Sequence, residues 1–165
     1  GETPMFVAAY NGQAEAIRVL KELEADVNTR DNTGETPVYI AAQNGHADTI
    51  RVLKELGADV DTPNKYGETP MFVAAYKGRA EAIRVLKELG ANVNTPDNNG
   101  YTPVYIAVIK DHFNVIRVLI ECGAKMDLIG LIGLIFKLMC HVSFGVIVIM
   151  NVLKLINEHL YNIKR

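Results

Sequence analysis

Residues 67–99 read GETPMFVAAYKGRAEAIRVLKELGANVNTPDNN, and this stretch decides the fold because it recurs along the chain every 33 residues. Its opening, Gly67-Glu68-Thr69-Pro70, is preceded by Gly1-Glu2-Thr3-Pro4 and Gly34-Glu35-Thr36-Pro37 and followed by Gly100-Tyr101-Thr102-Pro103. A small pair comes next in each copy: Ala8-Ala9, Ala41-Ala42, Ala74-Ala75, then Ala107-Val108. Gly12, Gly45 and Gly78 follow, with Asp111 in the fourth copy, and Ile-Arg-Val-Leu returns at 17–20, 50–53, 83–86 and 116–119.

Each recurring position has a physical role. Thr before Pro reads as a helix start, the hydroxyl capping free amides while Pro takes the first helical place, where no donor is needed. The alanine pair lets a neighbouring helix come close. Gly12 and its equivalents turn the chain back, and a second helix follows. On that helix Ala16, Val19, Leu20 and Leu23 are expected on one side and Arg18, Lys21 and Glu22 on the other. Gly57, Gly90 and Gly123 end it, and turn-rich runs such as Thr95–Gly100 read as fingers between units. Helices this short do not persist alone, since isolated helices below roughly 12–15 residues are marginal. Their stability has to come from stacking, which makes the chain a solenoid in which each unit touches its neighbours.

The period, Gly-x-Thr-Pro, the alanine pair and Leu-Gly-Ala-Asp/Asn-Val together resemble the ankyrin repeat over residues 1–124, in units 1–33, 34–66, 67–99 and 100–124 onward. The resemblance implies an all-α fold, a solenoid of stacked helix-turn-helix units with β-turn or hairpin fingers. Two departures stand out. The family's leucine and histidine after Thr-Pro are replaced by Met5-Phe6, Val38-Tyr39, Met71-Phe72 and Val104-Tyr105, so the histidine's polar tie between repeats is expected to be absent, with apolar packing in its place. Glu24 replaces the glycine after the second helix, which puts a side chain where positive φ is favoured and predicts a looser junction after the first unit.

The resemblance also implies a non-enzymatic protein-interaction module whose partner lies on the concave face, made by the fingers and the first helix of each unit. Carried over by position, the helix-end residues are Tyr10 and Asn11, Gln43 and Asn44, Tyr76 and Lys77, and Ile109 and Lys110. The fingers add Asn32, Thr33 and Glu35, then Lys65, Tyr66 and Glu68, then Asn98, Asn99 and Tyr101. Tyrosine at such places suits binding, because a rigid amphipathic ring gives contact area at small entropic cost. Covering the helix packing is the plainer role for Tyr10 and Tyr76.

Other classes are disfavoured by what surrounds the repeats. Residues 1–124 carry 12 Lys/Arg against 17 Asp/Glu, so they are poorly suited to grip nucleic-acid phosphates. Cys122 and Cys140 form neither a disulfide framework nor a Cys-x-x-Cys site, and with no sequon or leader pattern a reducing, cytoplasmic setting is expected. The histidines at 46, 112, 141 and 159 lack partners at metal-ligand spacing, and His46, at a second-helix start, reads as structural. Cys140-His141 has no orienting acid in its apolar run. No cofactor, metal or catalytic site is expected.

Residues 125–165 form an apolar tail. Leu128 to Met150 holds one formal charge, Lys137, and is long enough to span a bilayer as a helix, so membrane association through it is an alternative. Gly123 and Gly133 nevertheless keep register with Gly90 and Gly100, as a degenerate fifth repeat would. Two further functional alternatives are a membrane-tethered scaffold and structural spacer repeats of a longer array. The first and third units differ at only six of 33 places, Asn11/Lys77, Gln13/Arg79, Glu24/Gly90, Asp26/Asn92, Arg30/Pro96 and Thr33/Asn99, which suits a spacer. A first residue of Gly1 rather than Met fits a piece of a longer array.

Overall fold

A computed structural model describes residues 3–126 and 130–135. The chain divides into two compact units, Gly1–Lys125 and Met126–Arg165. In the first, helices alternate between two kinds: α1 Pro4–Tyr10, α2 Ala14–Glu22, α3 Pro37–Asn44, α4 Ala47–Glu55, α5 Pro70–Tyr76, α6 Ala80–Glu88, α7 Pro103–Ile109 and α8 Phe113–Glu121. The odd-numbered helices pack in a row, α1 on α3 on α5 on α7, and the even-numbered ones form a second row, α2 on α4 on α6 on α8. Each unit also packs its own pair together, giving the two-layer helical solenoid expected from the period.

The helix starts form as the Thr-Pro signal predicts. Thr3, Thr36, Thr69 and Thr102 sit in extended geometry, and each hydroxyl accepts from the amide three residues on, at 3.2, 3.2, 3.2 and 3.3 Å. Proline occupies the first helical turn in all four. The alanine pairs are buried, as are Met5, Val38, Met71 and Val104 beside the prolines. Between rows the core is completed by Ile17, Ile50, Ile83 and Ile116.

The short odd-numbered helices give way to a left-handed glycine, Gly45 directly after α3 and Gly12 and Gly78 one residue beyond the caps Asn11 and Lys77 of α1 and α5. Space as well as φ favours glycine at Gly12, since a Cβ there would lie 2.7 Å from Nδ1 of His46 in the next unit. At the corresponding place in the fourth unit Asp111 adopts φ 59°, and Glu24 adopts φ 63° after α2, as its replacement of glycine predicts.

The face expected to hold Val19 and Leu23 is not covered in the first unit. Val19 is 48% exposed and Leu23 73%, whereas Val52 and Val85, one and two periods on, are buried. What buries this face is the preceding unit, so amphipathic spacing names the face without saying whether it is covered.

Of the second unit, residues 130–135 are helical, with Leu134 buried and Ile132 exposed. Most of the tail, including most of Leu128–Met150 and both Cys140 and His141, lies outside the described residues. Among the described residues no helix is long and apolar enough to cross a membrane.

Candidate interaction surface

The fingers are built on an Asx residue three places before a glycine. Asp31 Oδ1 accepts from the amides of Thr33 and Glu35, Asn64 Oδ1 from those of Tyr66 and Glu68, and Asp97 Oδ1 from those of Asn99 and Tyr101, all within 2.8–3.0 Å. A backbone bond closes each turn, from Asp31 N to Glu35 O, Asn64 N to Glu68 O and Asp97 N to Tyr101 O. Successive fingers are then joined edge to edge: Lys65 N donates to Thr33 O at 3.0 Å and Asn98 N to Tyr66 O at 2.9 Å. The fit is close enough that a Cβ on Gly67, whose φ is +78°, would lie 2.7 Å from Asn98 N. No strand forms among the described residues, so the fingers are hydrogen-bonded turns.

The expectation of a missing polar tie is corrected at Tyr39, one of the residues standing where the family has histidine. Its ring is buried, and its hydroxyl donates to Glu68 Oε2 at 2.9 Å while accepting from Asn64 Nδ2 at 3.3 Å. A hydroxyl on a longer lever reaches the next finger from the same place. Burial and the Glu68 carboxylate push the Tyr39 phenol far above its usual pKa, so it stays a donor. Phe6 and Phe72 have no hydroxyl and are held by packing alone.

A second set of ties links the starts of the even-numbered helices to the ends of the odd-numbered ones. His46 Nε2 lies 3.0 Å from Tyr10 O, Arg79 Nε donates to Gln43 O at 3.1 Å, and His112 Nε2 lies 3.0 Å from Tyr76 O. His46 is therefore structural, as its place suggested. On the outer row Arg18–Glu55 at 2.8 Å and Arg51–Glu88 at 2.7 Å repeat with the period, and Arg84–Glu121 follows more loosely at 3.8 Å. These pairs are exposed, each worth about 0–1 kcal/mol. In the loops after the even-numbered helices, Asn28 Oδ1 accepts from Asp59 N and Asn94 Oδ1 from Lys125 N, with Asp61 accepting from Asn92 N between them. The signal for these ties was present as recurrence, but which recurring residue faces which could be known only once the units were stacked.

The seventeen residues singled out for a partner divide in two. Several are committed inside the chain: Asn11 Nδ2 donates to Val7 O, Asn44 Nδ2 to Tyr10 O, Asn98 Nδ2 to Lys65 O and Asn99 Nδ2 to Asp97, while Thr33 Oγ1 bonds Asp31 and Glu68 receives Tyr39 and Asn64. Gln43 lends its carbonyl to Arg79. Asn32 is exposed on its finger and Glu35 half-buried. The large side chains most exposed among the seventeen are those of Tyr10, Tyr66, Tyr76, Tyr101 and Ile109. Tyr101 stacks on Tyr105 with centroids 5.1 Å apart and planes 11° from parallel. Tyr76 carries two ammonium groups over its ring, Lys110 Nζ at 4.4 Å and Lys77 Nζ at 5.2 Å. The backbone carbonyls of Tyr10 and Tyr76 take part in the ties to the next unit, and their rings are 53% and 36% exposed.

Charge in the fingers is uneven. Partial burial, with Asp31 and Glu68 nearby, raises the Glu35 carboxyl above its usual range. Burial also opposes ionisation of Asp31, but the Thr33 hydroxyl and the amides of Glu35, Thr33 and Gly34 outweigh it and hold Asp31 low. Burial raises the Cys122 thiol above its usual pKa. Among the described residues no three His, Cys, Asp or Glu side chains are grouped to hold a metal.

A family model described as ankyrin repeats in three copies matches residues 1–64 and 56–129. No curated protein matches the chain.

Proposed function

This chain belongs to the ankyrin-repeat family, and we propose that residues 1–124 are a non-enzymatic module that binds a protein partner across the finger and odd-helix side of the stack. Ankyrin repeats are in general protein–protein interaction modules. The observation that carries the reading here is the exposure of four rings, Tyr10 and Tyr76 at odd-helix ends and Tyr66 and Tyr101 on fingers, presented by units whose backbones are tied to one another. Rigid aromatic anchors on a rigid frame lower the ordering cost of association.

The test is capture of partners from a lysate with the full chain as bait, beside a Tyr66→Ala/Tyr76→Ala variant. A partner held saturably by the parent chain and lost by the variant, with melting unchanged, is expected. Absence of any saturable partner favours a spacer role instead, which the near-identity of the first and third units also supports.

A further inference from the structure

Helices α1 and α5 share the sequence PMFVAAY, and α2 and α6 share AEAIRVLKE, so the first and third units turn the same side chains toward whatever stands in front of them. In front of the third unit stand α3, packed on α5, and α4, packed on α6. Pro70, Val73, Val85 and Leu86 are buried there. At the matching places in the first unit Pro4 and Val19 are exposed, Leu20 is half-buried, and Val7 is 42% exposed against 4% for Val73. The polar places correspond as well. Arg51 of the second unit reaches Glu88, and Asp61 accepts from the Asn92 amide. Glu22 and Asp26 hold the places of Glu88 and Asn92 one double period earlier. Glu55, Glu88 and Glu121 each pair with the arginine 37 residues before them, whereas the Glu22 carboxylate and the Asp26 amide have no partner among the described residues.

The end unit of a solenoid needs a polar outer face, yet the first unit shows water Val7, Val19 and Leu23 beside an unpaired carboxylate. We infer that this face is an interface for one further helix pair with the trailing surface of residues 34–66. Its first helix covers Val7 as α3 covers Val73, and its second covers Val19 as α4 covers Val85. An arginine at the place of Arg51 meets Glu22, and an Asx side chain at the place of Asp61 accepts from the Asp26 amide. Register decides how this pair is supplied. Tyr66 runs directly into Gly67, and Gly1 holds the place of Gly67 in the first unit, so a pair seated in the same way ends at the Gly1 nitrogen. A second copy cannot offer the surface of its residues 34–66, because its own third unit occupies it. The occupant is therefore a segment continuous with Gly1, held at high effective concentration by the bond that joins it.

The test compares the full chain with an extended one in which a further copy of residues 34–66 is joined to Gly1. In the parent, amides of Ala14–Leu23 should exchange about tenfold faster than those of Ala80–Leu89, and in the extended chain the two sets should exchange alike. Val19→Gln supplies a second measurement. It should leave the urea midpoint of the parent in place, where the side chain meets water, and lower that of the extended chain, where it buries an amide without a partner. Unchanged exchange at Ala14–Leu23 in the extended chain overturns the inference, as does a Val19→Gln change tolerated equally by both chains. Protection of Ala14–Leu23 in the parent that grows with protein concentration also overturns it, since a second copy then covers the face. The protein-binding reading rests on other residues, Tyr66 and Tyr76 among them, and stands or falls by its own capture experiment.

Discussion

Val19 and Val85 occupy the same place in two identical nonapeptides, Ala14–Glu22 and Ala80–Glu88, yet Val19 is 48% exposed and Val85 is fully buried. Local sequence is constant between them, so the difference is the worth of the unit stacked in front.

That pair gives an internal control for stacking energetics. Val85→Ala removes two methyl groups from a filled site and should cost about 2 kcal/mol, while Val19→Ala should cost less than about 0.5 kcal/mol. Urea melts of the two variants check this. Equal losses would mean that stacking contributes little at Val85.

Glu24 holds φ 63° where Gly57, Gly90 and Gly123 hold the equivalent places at 90–92°. Glu24→Gly should stabilise the chain by about 1 kcal/mol through relief of the left-handed backbone. Hydrogen exchange at Ala25–Val27 should slow in the variant. If those amides are already as slow in the parent as Ala91–Val93, the first junction is not the weak one.

Tyr39→Phe deletes the hydroxyl bonded to Glu68 and Asn64 but keeps the buried ring. A loss of about 1–2 kcal/mol is expected, because the Glu68 carboxylate surrenders a donor in a half-buried place. Tyr105→Phe serves as the comparison, as no side-chain bond is formed by that hydroxyl among the described residues; its melting point should stay near that of the parent.

The pH response of the fingers has two opposed parts. Glu35 has a raised folded-state pKa, so its contribution is fully present below its unfolded value and is lost as pH rises through the folded one. Asp31, and Asp59 in the loop after α4, where the Asp61 amide and Thr62 hydroxyl bond it, have lowered values, so their contributions are present above the unfolded value and lost as pH falls through the folded ones. Acidification from neutrality should first stabilise the chain and then destabilise it. Glu35→Gln should abolish the first effect and keep the second, as read by denaturant midpoints across a pH series.

The helix starts were legible because Thr-Pro acts within one turn, and the stack was legible because helices of seven to nine residues cannot stand alone. What could not be read was lateral pairing. His46 and His112 were visible as residues at second-helix starts, but their acceptors, the carbonyls of Tyr10 and Tyr76, lie 36 residues back and carry no signature in the side chain. Tyr39 read as a lost histidine tie because chemistry was compared by residue type, whereas a hydroxyl on a longer ring reaches the same neighbour. The partner residues were named by position, and only stacking separated Asn44 and Asn98, which bond inward, from Tyr66, which is 60% exposed.

The ties that recur between helices and between loops join residues 31 to 37 apart, one period plus a fixed offset, whereas the Tyr39–Glu68 bond, 29 apart, is made at one junction. The recurring ties have translational symmetry, so they can be remade when a unit leaves or enters, while the Tyr39 bond to Glu68 belongs to its own junction. Excising residues 34–66 would set Arg18 opposite Glu88 and the Tyr10 carbonyl opposite Arg79, each a chemically equivalent match. Length in this architecture is therefore an adjustable quantity: duplication or loss of a whole period alters how far the surface reaches while the recurring ties are remade from equivalent parts.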